Sequence, residues 1–134
     1  MKEFPQESPP EVSFFNGKVF RNAAITIGLS FVGGFLVGMA RGMGGFSMNS
    51  YILLIGASNL ISITLGGVIS GLSVPREALV RHLQAVGLLV WLFGLLNVAL
   101  GITDFEGFIF SSVFVAACVA LGGWISALFA NPRA

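Results

Sequence analysis

Four long stretches of this chain carry no charged residue, and few folds tolerate that pattern. Positions 22–40, 42–75, 83–103 and 107–130 contain no Asp, Glu, Lys or Arg. A bilayer core of about 30 Å takes about 20 helical residues at a rise of about 1.5 Å each. The first, third and fourth stretches fit one crossing each. The second is too long for one, and its opening part, 42–50, is rich in glycine and serine, so it reads as a loop followed by a span. The expected spans are 22–40, 51–72, 83–103 and 107–130. They are apolar on every face, whereas strands of a membrane barrel alternate apolar and polar positions. The expected fold is an all-α integral membrane protein, a four-transmembrane-helix bundle over 22–134, preceded by a tail at 1–21.

Composition agrees. Of 134 residues, 55% are hydrophobic and 10% charged, against roughly 25% charged in soluble domains. A soluble fold this poor in charge would present large apolar patches to water and aggregate. The net charge of +1 gives no polyelectrolyte signal for nucleic acid. The single cysteine, Cys118, rules out an intrachain disulfide. Gly38, Met39 and Ala40 have the small-residue spacing of a signal-peptide cleavage site, but the preceding segment carries Glu3, Glu7 and Glu11 and makes a poor n-region. The first helix is expected to be retained.

Four spans put both termini on one side, with Lys2, Lys18, Arg21, Arg76, Arg81 and Arg133, while the other side has only Arg41 among the basic residues. Basic residues in short loops stay cytoplasmic, so both termini are expected there, in a bacterial inner membrane or its equivalent. Residues 1–12 read as a disordered tail with Pro5, Pro9 and Pro10. Residues 13–21 mix phenylalanines with basic residues, which suits either a segment lying on the membrane surface or a plain lead-in to the first helix. Ser73, Pro75 and Glu77 read as a helix start, with Ser73 capping. A faint repeat joins LGGVISGL at 65–72 to LGGWISAL at 121–128, identical at six of eight positions. It is compatible with a duplicated two-helix hairpin about a pseudo-two-fold axis along the membrane normal.

Helices in lipid associate by close backbone approach, which needs small residues on one face. The first span offers Ser30, Gly34 and Gly38, and the second Ser58, Ser62, Gly66, Gly67, Ser70 and Gly71. The third offers Gly87, Gly94 and Gly101, and the fourth Ser112, Ala116, Ala120, Gly123 and Ala127. These faces are expected to build a tight bundle, with Gly38 and Gly66 at contacts. Asn59 and Asn97 are strongly polar residues well inside spans, at matching depth, and are expected to act as interhelical glue by sharing a hydrogen bond.

Chemistry is sparsely supplied. No charge lies within a span, which argues against proton-coupled transport. His82 stands at one edge and Cys118 deep in the fourth span, so no metal or Cys/His site is expected. His82 is the one candidate for a pigment- or haem-type ligand, with Trp91 able to line it, but aromatic residues at helix spacing more often face lipid or core, and no cofactor is expected. Arg41 is expected to pair with Asp104 or Glu106. The glycine-rich segment from Gly42 to Gly45 lacks the residues of a phosphate-binding loop. The expected function is that of a non-catalytic structural or assembly subunit of a larger membrane complex. The alternatives are a small homo-oligomeric channel or facilitator and, more remotely, a pigment- or haem-binding subunit. The expected partners are the bilayer, other membrane subunits or further copies of the chain. The topology is checked by cysteine labelling: sites placed in 44–48 and in 76–80 are expected to react from opposite sides of the membrane, and reaction from one side would overturn it.

Overall fold

A computed structural model describes residues 13–45 and 47–129. The expected tail at 1–12 lies outside the described residues, as do Lys2 and Arg133. Among the described residues the chain is helical and has no strand. It forms α1 (Gly17–Gly42), α2 (Met48–Leu72), a single 3-10 turn (Arg76–Ala78), α3 (Leu79–Ala99) and α4 (Phe105–Phe129). The four helices are long and apolar enough to cross a membrane.

Local chemistry sets the ends of these helices. Asn16 caps α1 by accepting the Val19 N–H at 3.1 Å, so the helix begins five residues before the expected 22. Ser47 caps α2 through the Ser50 N–H, and the Asp104 carboxylate caps α4 through the Gly107 N–H at 2.7 Å. Asp104 is thus a capping residue. Arg41 stands 4.5 Å over the Tyr51 ring and donates to Met48 Sδ, and among the described residues it forms no ion pair with Asp104 or Glu106. Gly101, at φ 71°, takes the left-handed turn that ends α3 short of the expected 103. Ser73 does not start a helix. It closes α2 by donating to the Ser70 carbonyl at 2.7 Å, and Pro75 precedes the 3-10 turn.

Contacts fix the packing. Thr26 meets Gly66 and Ser58 meets Gly33, so α1 and α2 are antiparallel; α3 and α4 are likewise antiparallel, with Leu83 against Gly123 and Phe108 against Gly94. α2 and α4 run parallel, with Gly67 against Gly122 and Gly71 against Ser126. α1 and α3 lie side by side, joined by Asn22 and His82 near one end and by Phe31 and Phe93 farther along. α2 and α3 touch only sparsely. The order around the bundle is therefore α1, α2, α4, α3.

This order bears on the repeat. A two-fold axis parallel to the helices would set α1 and α3 on opposite corners; they are neighbours instead. The glycine pairs record the same geometry. In α2, Gly66 faces its hairpin partner α1 and Gly67 faces α4; in α4, Gly122 faces α2 and Gly123 faces its hairpin partner α3. The two roles are exchanged between matching positions. Successive residues turn by about 100° in one sense around a helix, so the exchange requires the hairpin partners to lie on the same side of the α2–α4 plane. The two hairpins are related more nearly by a mirror than by rotation.

Burial is concentrated at the end of the bundle where α1 begins, called here the basic end after Lys18, Arg21, Arg76 and Arg81. Val19, Ala23, Ala85 and Val86 form one core cluster, and Ile63, Leu79, Leu83, Cys118 and Val119 another. Toward the opposite end the helices expose Phe31, Phe35, Ile52, Leu53 and Phe110. The tightest approach of backbone to backbone is at Gly122, where an added Cβ would lie 2.9 Å from the Gly67 Cα and 2.6 Å from the Thr64 carbonyl oxygen. By contrast, a Cβ on Gly34 or Gly38 would meet nothing within 4 Å, so the expected contact at Gly38 is not made within the chain. Gly122→Ala is expected to cost about 1–3 kcal/mol, because backbones on both sides must shift. Gly38→Leu is expected to leave the thermal midpoint in detergent unchanged. Equal midpoints for the two variants would contradict this packing.

Candidate functional site

Two features stand out from the scaffold: a buried polar network with a basic crevice at one end, and an apolar groove along α3 and α4. The network starts from Asn22, in the second turn of α1 and 1% exposed. Its amide nitrogen donates to Ser73 Oγ at 2.7 Å and lies 2.9 Å from His82 Nε2. An amide nitrogen can only donate, so Nε2 is the acceptor and the neutral ring carries its proton on Nδ1. Ser73 passes the chain on to the Ser70 carbonyl. Three elements are thereby tied by side chains that a buried setting requires to be paired. Thr26, Ser62 and Ser126 are satisfied differently, donating to the carbonyls of Asn22, Leu29 and Gly123 respectively.

Beside this network lies a crevice of about 610 Å³ between the first turns of α1 and the Val74–Ala78 segment, lined by Lys18, Arg21, Asn16 and Pro75 among others. A smaller recess of about 60 Å³ continues from it toward Phe14, Arg81 and His82. Phe14 and Phe15 meet edge to face at 5.0 Å, and Arg81 stands 5.8 Å from the Phe14 ring.

The groove between α3 and α4 has a volume of about 670 Å³. Gly87, Ala116, Ala120 and Gly123 form its floor, and Trp91 and Trp124 stand in its walls. Trp91 Nε1 donates to Ser112 Oγ at 2.8 Å, and Ser112 donates to the Phe108 carbonyl at 2.8 Å. The Trp91 and Phe108 rings are 5.4 Å apart. The polar atoms at this end of the groove are thus already partnered, and apart from Gln84 the rest of its lining is hydrocarbon.

The residues singled out from sequence are distributed unevenly over these features. Gly66, Gly67, Gly71 and Gly123 lie at helix crossings, and Gly94 packs on the Phe108 ring at 3.3 Å. Gly34 and Gly38 are half-buried, with nothing within 4 Å of an added Cβ. Ala116 and Ala120 are exposed in the groove. Asn59 and Asn97 are half-buried, and among the described residues no hydrogen bond joins them. The physical reason is the packing order: α2 and α3 stand diagonally, so residues at the same depth on them are not neighbours. His82 is 5% exposed, and its Nε2 is occupied by Asn22, which leaves that nitrogen no open path to a macrocycle. Among the described residues no three potential metal-binding side chains cluster. Asn22 does not stand out in the sequence because it opens a charge-free window. The available signal was its place four residues before Thr26 in a run otherwise rich in apolar residues. The chain matches no protein-family model, no curated protein and no solved structure.

The network is expected to be energetically coupled. In a double-mutant cycle of Asn22→Ala and His82→Ala, read by unfolding in detergent, a coupling of about 1 kcal/mol is expected, within the range of buried interhelical hydrogen bonds. Strict additivity would show that the two side chains do not support each other.

Proposed function

We propose that this chain is a multi-pass membrane protein with both termini cytoplasmic, and that it serves as a non-catalytic structural or assembly subunit. The α3–α4 groove would take a helix of another membrane protein. The groove itself carries this reading. Where larger side chains would close the seam from within, the chain presents Gly87, Ala116, Ala120 and Gly123. In lipid such a floor gains nothing from hydrophobicity alone, because acyl chains are equally apolar; its advantage is close approach of a second backbone. On α1, Gly34 and Gly38 leave a further small-residue stretch with nothing packed within 4 Å of an added Cβ. The basic end of the bundle supports the cytoplasmic orientation through Lys18, Arg21, Arg76 and Arg81. The duplicated-hairpin reading is retained only as a matter of sequence origin, supported by LGGVISGL and LGGWISAL.

Filling the groove tests the reading. Ala116→Leu with Ala120→Leu is expected to leave the isolated chain's thermal midpoint in place, since both positions are exposed. After gentle solubilisation the unaltered chain is expected to migrate with other polypeptides and the variant alone. Migration of both as single chains would overturn the proposal. In proteoliposomes the purified chain is expected to support neither catalysis nor uptake driven by a pH gradient. A gradient-independent leak would favour a small oligomeric channel instead.

A further inference from the structure

We propose that the crevice at the basic end binds the phosphate of an anionic phospholipid; this rests on the membrane reading above but not on the subunit role. Lys18 and Arg21 are three residues apart, so they lie on one side of α1 and line the crevice together. Among the described residues neither forms an ion pair. Arg21 Nε donates to Asn22 Oδ1 at 3.5 Å, and its two terminal nitrogens have no protein partner among the described residues. That leaves a planar fork suited to two phosphate oxygens, with the Lys18 ammonium beside it as a second charge. The opposite wall is formed by Val74, Pro75 and Ala78, which offer no carboxylate to compete.

The surroundings favour a lipid over a free anion. Val74 and Pro75 give an apolar wall to an otherwise cationic space. Leu72 at the end of α2 is 54% exposed, and Phe15 and Phe20 expose their rings on the α1 side. Aromatic and basic residues side by side are the usual composition of a helix end at headgroup level. The cytoplasmic leaflet holds anionic lipid, and basic pockets between helices on that side collect its headgroups. Arg21 also links the site to the buried network, because the Asn22 oxygen that it contacts belongs to the amide that holds Ser73 and His82.

The test uses the full chain purified in a neutral detergent, with thermal midpoint and native mass spectrometry as readouts. Phosphatidylglycerol is expected to raise the midpoint by a few degrees and to remain bound as one lipid, while phosphatidylcholine of the same chain length does neither. Lys18→Gln with Arg21→Gln is expected to abolish both effects. Arg76→Gln, at the same end but outside the crevice, is expected to keep them. Arg21→Lys, which retains charge without the fork, is expected to weaken lipid retention while preserving helicity, and so guards against a double variant that fails to fold. Equal stabilisation by phosphatidylcholine, or full retention of phosphatidylglycerol by the double variant, would overturn the proposal. Inorganic phosphate reproducing the shift would overturn it in favour of a free-anion site. Carbonate washing separates the two readings: a chain that washes off membranes overturns both, and one that stays but shows no lipid preference overturns only this one.

Discussion

At the crossing of α2 and α4, Gly67 and Gly122 bring two backbones into direct contact, and an added Cβ on either would meet backbone atoms of the other helix within 3.3 Å. The remaining contacts are arranged around this seam. Because α2 and α4 are this close, Gly66 and Gly123, each one residue away, are turned about 100° to the side, where α1 and α3 must lie. Thr26 and Leu83 fill those positions. The side-by-side placement of α1 and α3 then brings Asn22 within reach of His82. A glycine contact in one half of the molecule thus determines a hydrogen bond in the other.

The polar network at the basic end complements that seam. Apolar packing between helices is weakly directional and tolerates sliding, whereas Asn22 reaches Ser73 and His82 at 2.7 and 2.9 Å in one register only. Such a network contributes specificity of arrangement as much as stability. It also accounts for the uneven burial. The end that it fixes holds both core clusters, whereas the opposite end exposes Phe31, Phe35 and Leu53.

Much of the architecture is legible in the sequence, because runs without charge and a small set of capping residues act locally. Four helices follow from hydropathy alone, and the glycines of α2 mark the face that packs. What the sequence does not reveal is which helix stands next to which. Small residues on α1 look the same whether they meet a helix of the same chain, as Gly33 does, or have nothing packed against them, as with Gly34 and Gly38. Asn59 and Asn97 share a depth, and depth is what a sequence reports; adjacency also depends on the order around the bundle, which comes from the α2–α4 crossing. The polar network escapes notice for a related reason. Asn22 lies 51 residues from Ser73 and 60 from His82, and each by itself resembles an ordinary helix-end residue.

The parallel pairing of α2 with α4 has a consequence for biogenesis. A chain is made from its N-terminus, so Gly67 and Gly71 are in place before their partners, Gly122 and Ser126, which lie more than fifty residues farther along the chain. The first hairpin can close on itself through Thr26 and Gly66, but its other glycine face must wait. During that interval the seam that organises the finished bundle is an uncovered strip of backbone, and anything that shields it must leave again when α4 arrives.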